Sequence, residues 1–407
     1  MSKEQDIPLN ELALFGGNPH FEELLHVGRP NIGDRKAFLS RVEDILDRRW
    51  LTNNGPMVQE FEKRICDLLG VKHCVAVCNA TVGLELTIRA LNLTGEVIVP
   101  SLTFIATAHA LQWQEITPVF CDVNPSKLCL DPDCVECMIT PRTTGIIGVH
   151  LWGTPCDIDK LAEIAQRRNL KLIFDAAHAF GCSYAGTRIG NFGHAEVFSF
   201  HATKFLNCFE GGAITTNDDV LAAKLRLMKN FGFSGYDKVT YIGTNGKMSE
   251  VSAAMGLTSL ESMDTIIARN RDNHGCYAAQ LSSVKGLKLR SYDDSEHPNY
   301  QYIVVEVDEQ QSPLSRDELM RVLQSENVAA RRYFYPGCHR MEPYLSYFPH
   351  SHLLLPVTER ALQGVLLLPN GTAIGEEEIS LICGIIRTAS ANAESVRQRI
   401  VRSMGEQ

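Results

Sequence analysis

The sequence predicts an α/β protein: a large domain with a mostly parallel sheet covered by helices, and a smaller C-terminal α+β domain. Three observations predict it. Between residues 73 and 216, short apolar runs of strand length alternate with stretches of helical periodicity, the pattern of a parallel sheet clothed on both faces. Two of those runs end in chemistry-bearing turns, Asn79-Ala80-Thr81 after one and Asp175 closing another, and strand carboxyl ends are where such sheets hold ligands. A long polar helical stretch at 265–281 then leads into a second, shorter alternation. The expected division is an arm (1–34), a large domain (35–264) and a small domain (265–407).

The elements follow in order. Residues 1–34 are mixed and glycine-punctuated, an arm lying across other parts of the fold. Residues 35–50 carry Phe38, Val42, Ile45 and Leu46 at helical spacing. Asn53-Asn54-Gly55-Pro56 is a turn, and 57–69 returns to helical periodicity before stopping at Gly70. The first strand is 73–78, followed by a small polar turn at 79–83 and a helix at 84–91. Such a turn offers helix-start amides to a phosphate, and equally fits an ordinary N-cap by Asn79 or Thr81. Strand 97–100 runs into Ser101-Leu102-Thr103-Phe104 and a helix from about Ile105; Phe104 suits either a stacking role or the core. Strands 118–121 and 145–149 have a helical stretch between them. A loop at 151–155 and a helix at 157–169 lead to the strand ending in Asp175. Strands 197–200 and 213–216 flank a turn containing Lys204. Helices 219–230 and 248–260 enclose a glycine-rich loop at 231–246. The small domain reads as strand 300–307, helix 315–326, strand 329–334, a Pro/Gly/His-rich loop and a last helix from Glu376. No internal repeat or low-complexity segment appears.

Composition narrows the function classes. The chain has 407 residues and a formal net charge of −9, which argues against general nucleic-acid binding but not against a nucleotide-linked substrate in a local basic pocket. Thirteen scattered cysteines, an odd number, fit a reducing cytoplasm better than a disulfide framework. Cys134 and Cys137 form a single CxxC with no second pair, so no metal site is expected. The N-terminus lacks an apolar signal core and no run reaches membrane-spanning length, so a cytoplasmic protein without a membrane partner is expected.

The chemistry centres on two stretches. In VFSFHATKFLNCFEGGAITT, Lys204 sits between apolar segments. Desolvation there lowers a lysine pKa, as a Schiff-base lysine requires, although a surface lysine on a hairpin has the same local pattern. In KLIFDAAHAFG, Asp175 closes a buried strand and is followed by His178. Asp175 alone could ligate a metal, cap a helix or partner a protonated ring nitrogen. The two stretches lie at successive strand ends, and together they favour pyridoxal 5'-phosphate, whose ring needs an acid at its nitrogen to act as an electron sink.

The strings SFHATK…EGGAITT, FDAAHAFG, NATVGL, PSLTFIAT and TNGKMSEVSAAMGL together resemble the DegT/DnrJ/EryC1/StrS sugar aminotransferases, from about Leu14 to Ile386. The similarity is greatest to members that aminate C-4 of dTDP-4-keto-6-deoxyglucose, of the desosamine and viosamine type. The resemblance implies fold type I, as in aspartate aminotransferase, and a homodimer. It makes Lys204 the cofactor-bearing lysine, Asp175 the pyridinium partner and His178 the neighbour of the ring hydroxyl. Phe104 becomes the stacking aromatic, and Ser199 with the backbone of Ala80 and Thr81 the phosphate cradle. Asn245 matches an asparagine reaching the phosphate from the other subunit. Many members have Gly at Ala80 and a Tyr-Pro pair at His201-Ala202, which leaves the cradle's detail open. Lys204 is retained where some relatives carry histidine and dehydrate the sugar instead. The implied reaction moves the amino group of L-glutamate to the keto-sugar; amination at C-3, a UDP-linked sugar, or a non-catalytic regulatory protein are the alternatives. Lys247, Arg331 and Arg332 are candidates for the nucleotide's diphosphate.

Overall fold

The computed structural model describes residues 7–405. Seven strands form the central sheet: β1 (His73–Val77), β2 (Glu96–Pro100), β3 (Thr117–Cys121), β4 (Thr143–Val149), β5 (Lys171–Asp175), β6 (Ala195–Ser199) and β7 (Gly212–Thr216). Their spatial order is β1-β7-β6-β5-β4-β2-β3, with β7 antiparallel to both neighbours and the others parallel to one another. Alternate residues feed two apolar layers. Cys74 and Ala76 face the layer holding Val58, Phe61 and Ile65 of Pro56–Leu69, while Val75 and Val77 face the layer holding Leu84 and Ile88 of Ala80–Ala90. Burial on both faces explains why these strands read as continuous apolar runs.

The helix Met263–Leu281 leads to a three-stranded antiparallel sheet, Leu287–Leu289, Ile303–Val307 and Val365–Leu368, with Ile303–Val307 in the middle. Its core takes Ile379, Ile382 and Ile386 from Glu376–Ala391, and also Ile7, Leu12 and Leu25 from the arm.

Three expectations need correction. The helix after β1 starts at Ala80, not Leu84, because the Asn79 side chain accepts from Val82 N at 2.9 Å and caps it there. The strand expected over 329–334 reduces to Val328–Ala329, which pairs in parallel with Leu25–His26 of the arm, and a single bridge from Arg331 to Leu367. Beyond it the backbone turns, with Gly337 N bonded to Phe334 O at 2.7 Å and Gly337 at φ +87°. The glycine-rich loop contains a short hairpin, Phe233–Gly235 with Lys238–Val239. Strand Val365–Leu368 and helix Ala393–Gly405 had no counterpart in the sequence reading. No helix among the described residues is long and apolar enough to cross a membrane.

Candidate active site

The carboxyl ends of β1, β5 and β6 meet on one edge of the sheet. Parallel pairing sets Asp175 level with Val197, so the acid lies one strand from the chain that continues through Ser199 to Lys204. Asp175 is buried. Its Oδ2 accepts from Thr107 Oγ1 at 2.7 Å and its Oδ1 from Ala177 N at 3.1 Å. Thr107 gives its proton to the carboxylate, so the 3.0 Å contact with Thr103 Oγ1 has Thr103 as donor. Burial pushes the Asp175 carboxyl up, against the pull of these hydrogen bonds and of Lys204. The site thus contains a desolvated carboxylate with lone pairs to spare.

Lys204 Nζ donates to the Tyr302 hydroxyl at 3.1 Å. Burial lowers the amine to about 8, with Asp175 opposing. At pH 7 about a tenth of it is neutral. His178 accepts from Trp152 N through Nδ1 at 3.2 Å, and burial, then Lys204, hold its pKa well below the usual histidine value. A neutral ring with Nδ1 accepting carries its proton on Nε2, so His178 presents a hydrogen-bond donor. Its ring stacks parallel to Phe334 at 5.8 Å and meets Tyr302 edge-on at 4.8 Å. Phe104 is 57% exposed, with its ring 6.1 Å from Phe334.

The third component is a cluster of amides at the start of Ala80–Ala90. Gly212 pairs with Ser199 on one side and Val77 on the other. A Cβ on Gly212 would lie 2.8 Å from Ala80 N, so the missing side chain lets the helix start approach β6 and β7. Asn79 satisfies Val82 N, whereas the amides of Ala80 and Thr81 have no acceptor among the described residues. With the Ser199 hydroxyl they could hold a phosphate.

The remaining candidates are more dispersed. Asn245 is exposed, on a strip whose Gly246 O accepts from Cys78 N at 2.8 Å, and its side chain makes no hydrogen bond among the described residues. Lys247 bridges to Val77 with its ammonium 4.5 Å from the Phe231 ring centroid. Arg331 is exposed and stacks over Tyr333. Arg332 is ion-paired with Asp317 at 3.1 Å, and Asp317 also holds the buried Arg316. Cys134 and Cys137 lie on Pro132–Met138, and no group of described His, Cys, Asp or Glu residues could hold a metal.

Sequence reasoning missed Thr107, Tyr302 and the Trp152 amide. Thr103 and Thr107 are one helical turn apart in PSLTFIAT, which was a usable signal for a shared polar face. Tyr302 had none, because it enters from beside the three-stranded sheet, immediately before Ile303–Val307.

Pyridoxal 5'-phosphate fits these residues. The cradle suits its phosphate, the buried carboxylate its ring nitrogen, the Nε2 proton of His178 its ring hydroxyl, and the depressed amine its aldehyde. The protein is a pyridoxal phosphate-dependent aminotransferase. Residues 33–387 match the profile of the DegT/DnrJ/EryC1/StrS aminotransferase family, and the chain belongs to that family. It is 41% identical to the dTDP-4-amino-4,6-dideoxy-D-glucose transaminase of Shigella dysenteriae over 80% of this chain and 88% of that protein. It is 35% identical to the GDP-perosamine synthase of Caulobacter vibrioides over 84% of this chain and 92% of that protein. The solved structure of DesI in the presence of its TDP-sugar product superposes with a TM-score of 0.91 at 48% identity, covering 98% of this chain and all of that one.

Proposed function

We propose that the enzyme transfers the amino group of L-glutamate to C-4 of dTDP-4-keto-6-deoxyglucose, giving dTDP-4-amino-4,6-dideoxyglucose, as a cytoplasmic homodimer. The reading rests on the agreement between the Lys204–Asp175 site and the likeness to the Shigella transaminase and DesI.

When bound, pyridoxal phosphate supplies the electron sink that makes an α-proton of the amino donor labile. The chain does the rest. Ala80, Thr81 and Ser199 would hold the phosphate while substrates exchange, which would keep reacting atoms aligned. Asp175, held by Thr107 and Ala177, would keep the proton on the ring nitrogen. His178, with its proton on Nε2, would donate to the ring hydroxyl, and Phe104 would lie against the ring. Lys204 Nζ takes the α-proton of glutamate in the first half-reaction and delivers a proton to C-4 of the sugar in the second. Its lowered pKa supports both directions near neutral pH.

Lys247 and Arg331 form no ion pair with a carboxylate among the described residues, which favours them for the sugar's diphosphate. Arg332, tied to Asp317, is the weaker candidate. The dimer is supported by an exposed apolar stripe on Arg35–Arg48, where Leu39 and Leu46 are 47% and 61% exposed, continued by Trp50 and Leu51. Asn245 would then serve the neighbouring subunit's phosphate. All the cysteines of the chain are free thiols, in keeping with a reducing compartment.

The test is a two-stage reaction. L-Glutamate alone converts the enzyme-bound cofactor to its amine form with stoichiometric 2-oxoglutarate, and Lys204→Ala abolishes this. Adding dTDP-4-keto-6-deoxyglucose then restores the starting spectrum. A GDP-linked 4-keto-6-deoxy sugar is the control suggested by the GDP-perosamine synthase likeness; a higher kcat/KM with it would overturn the dTDP assignment.

A further inference from the structure

The Tyr302 hydroxyl accepts the only hydrogen bond that Lys204 Nζ makes among the described residues. Tyr302 belongs to the small domain, immediately before Ile303–Val307, whereas Lys204 lies on the large-domain turn between β6 and β7. The phenol is fixed from several sides. The backbone carbonyl of Tyr302 accepts from Tyr292 Oη at 2.7 Å, its ring edge meets His178, and its residue is 7% exposed. No acceptor among the described residues takes the hydroxyl proton.

We propose that Tyr302 is a positioning residue for the reaction, which holds the Lys204 amine in place whenever that amine is free of the cofactor. The inference rests on Lys204 being the proton carrier. An ammonium on a four-carbon stem has many rotamers, and each must be frozen before it can reach one substrate carbon. A fixed oxygen at 3.1 Å selects one of them. The tyrosine accepts a hydrogen bond from the ammonium or the amine throughout and keeps its own O–H bond. The proton that moves passes between the substrate carbon and Nζ alone. Burial holds the Tyr302 phenol well above its ordinary pKa, which is consistent with a group that orients without ionising. Because the bond joins the two domains, it forms only when they are packed as seen here.

Tyr302→Phe keeps the ring against His178 and removes only the oxygen. In cofactor-free protein, competitive acylation of Lys204 read by mass spectrometry reports its titration. The wild-type midpoint lies near the value of about 8 set by burial, and the variant's falls by roughly one pH unit, because the ammonium loses its acceptor. In loaded enzyme, the single-turnover rate with glutamate falls ~10- to 100-fold and the α-deuterium isotope effect rises, while pyridoxal phosphate affinity is unchanged. Incorporation of 3-fluorotyrosine at 302, a weaker acceptor of nearly the same shape, shifts the midpoint in the same direction by a smaller step and keeps the test decisive if the phenylalanine variant misfolds. An unchanged midpoint and isotope effect, with Lys204→Ala inactive, would make Tyr302 merely structural. Turnover surviving in Lys204→Ala would instead overturn the reading of Lys204.

Discussion

Replacing Gly212 with alanine tests the anion cradle without touching a polar group. The added Cβ would sit 2.8 Å from Ala80 N, 2.8 Å from the Asn79 carbonyl carbon and 2.9 Å from Phe198 O. All three are backbone atoms, so no side chain can swing aside. Phe198 O belongs to a paired strand, leaving the start of Ala80–Ala90 as the part that moves. Overpacking of this kind costs ~1–3 kcal/mol. If that cost falls on the cradle, the affinity for the cofactor's phosphate drops ~5- to 150-fold. The assay titrates cofactor-free protein with pyridoxal 5'-phosphate and, separately, with pyridoxal, which lacks the phosphate. Gly212→Ala should lose most of its preference for the phosphorylated form and keep its affinity for pyridoxal. Wild-type preference in the variant, or equal loss with both ligands, would refute the cradle.

Other predictions follow from the same geometry. Thr107→Val removes a hydrogen bond to a buried carboxylate, worth ~1.5–3 kcal/mol, and should weaken cofactor binding ~10- to 150-fold, with Thr107→Ser restoring most of it. Asp175 has its carboxyl raised by burial in the cofactor-free protein, so there its ionisation opposes folding. That penalty is fully present above the raised pKa and is relieved as pH falls toward the ordinary carboxylate value. Cofactor-free Asp175→Asn should therefore melt higher than wild type at pH 7, and the difference should shrink in acid. Pyridoxal phosphate affinity of the wild type should fall over the same window, because the ring nitrogen needs the charged form; the Asn variant should show no such slope. Leu39→Glu combined with Leu46→Glu places charge on the exposed stripe and should give monomers by analytical ultracentrifugation, with glutamate turnover lost if the site is shared.

The seven-stranded sheet was legible because its strands are buried on both faces, and the candidate site was legible where its residues are carried by local strings. Asp175 closes a strand whose apolar run announces it, Lys204 lies on the turn that follows the neighbouring strand Ala195–Ser199, and the pairing of the two strands brings these chain segments together. The pairings of Thr107 and Tyr302 were not legible, since they reach their partners across 68 and 98 residues of sequence; the spacing of Thr103 and Thr107 hinted only at a shared polar face. The helix start at Ala80 was misplaced because its first turn, Ala80-Thr81-Val82-Gly83, is small and weakly apolar, while the cap that fixes it is a single asparagine side chain. The 329–334 segment carries strand-like residues, yet only Ala329 pairs with the short arm segment Leu25–His26, and a single bridge from Arg331 to Leu367 follows before the chain turns away. The four-residue strand Val365–Leu368 is too short and too uniformly apolar to show a period.

The proposed reaction places an amine from glutamate on C-4 of a dTDP-linked sugar. The most direct measurement supplies nitrogen-15 L-glutamate and dTDP-4-keto-6-deoxyglucose to the loaded enzyme and locates the label by NMR. Nitrogen-15 should be found bonded to C-4, with one equivalent of 2-oxoglutarate per amino sugar and no labelled sugar with Lys204→Ala. Label at C-3, or none in the sugar despite glutamate turnover, would contradict it.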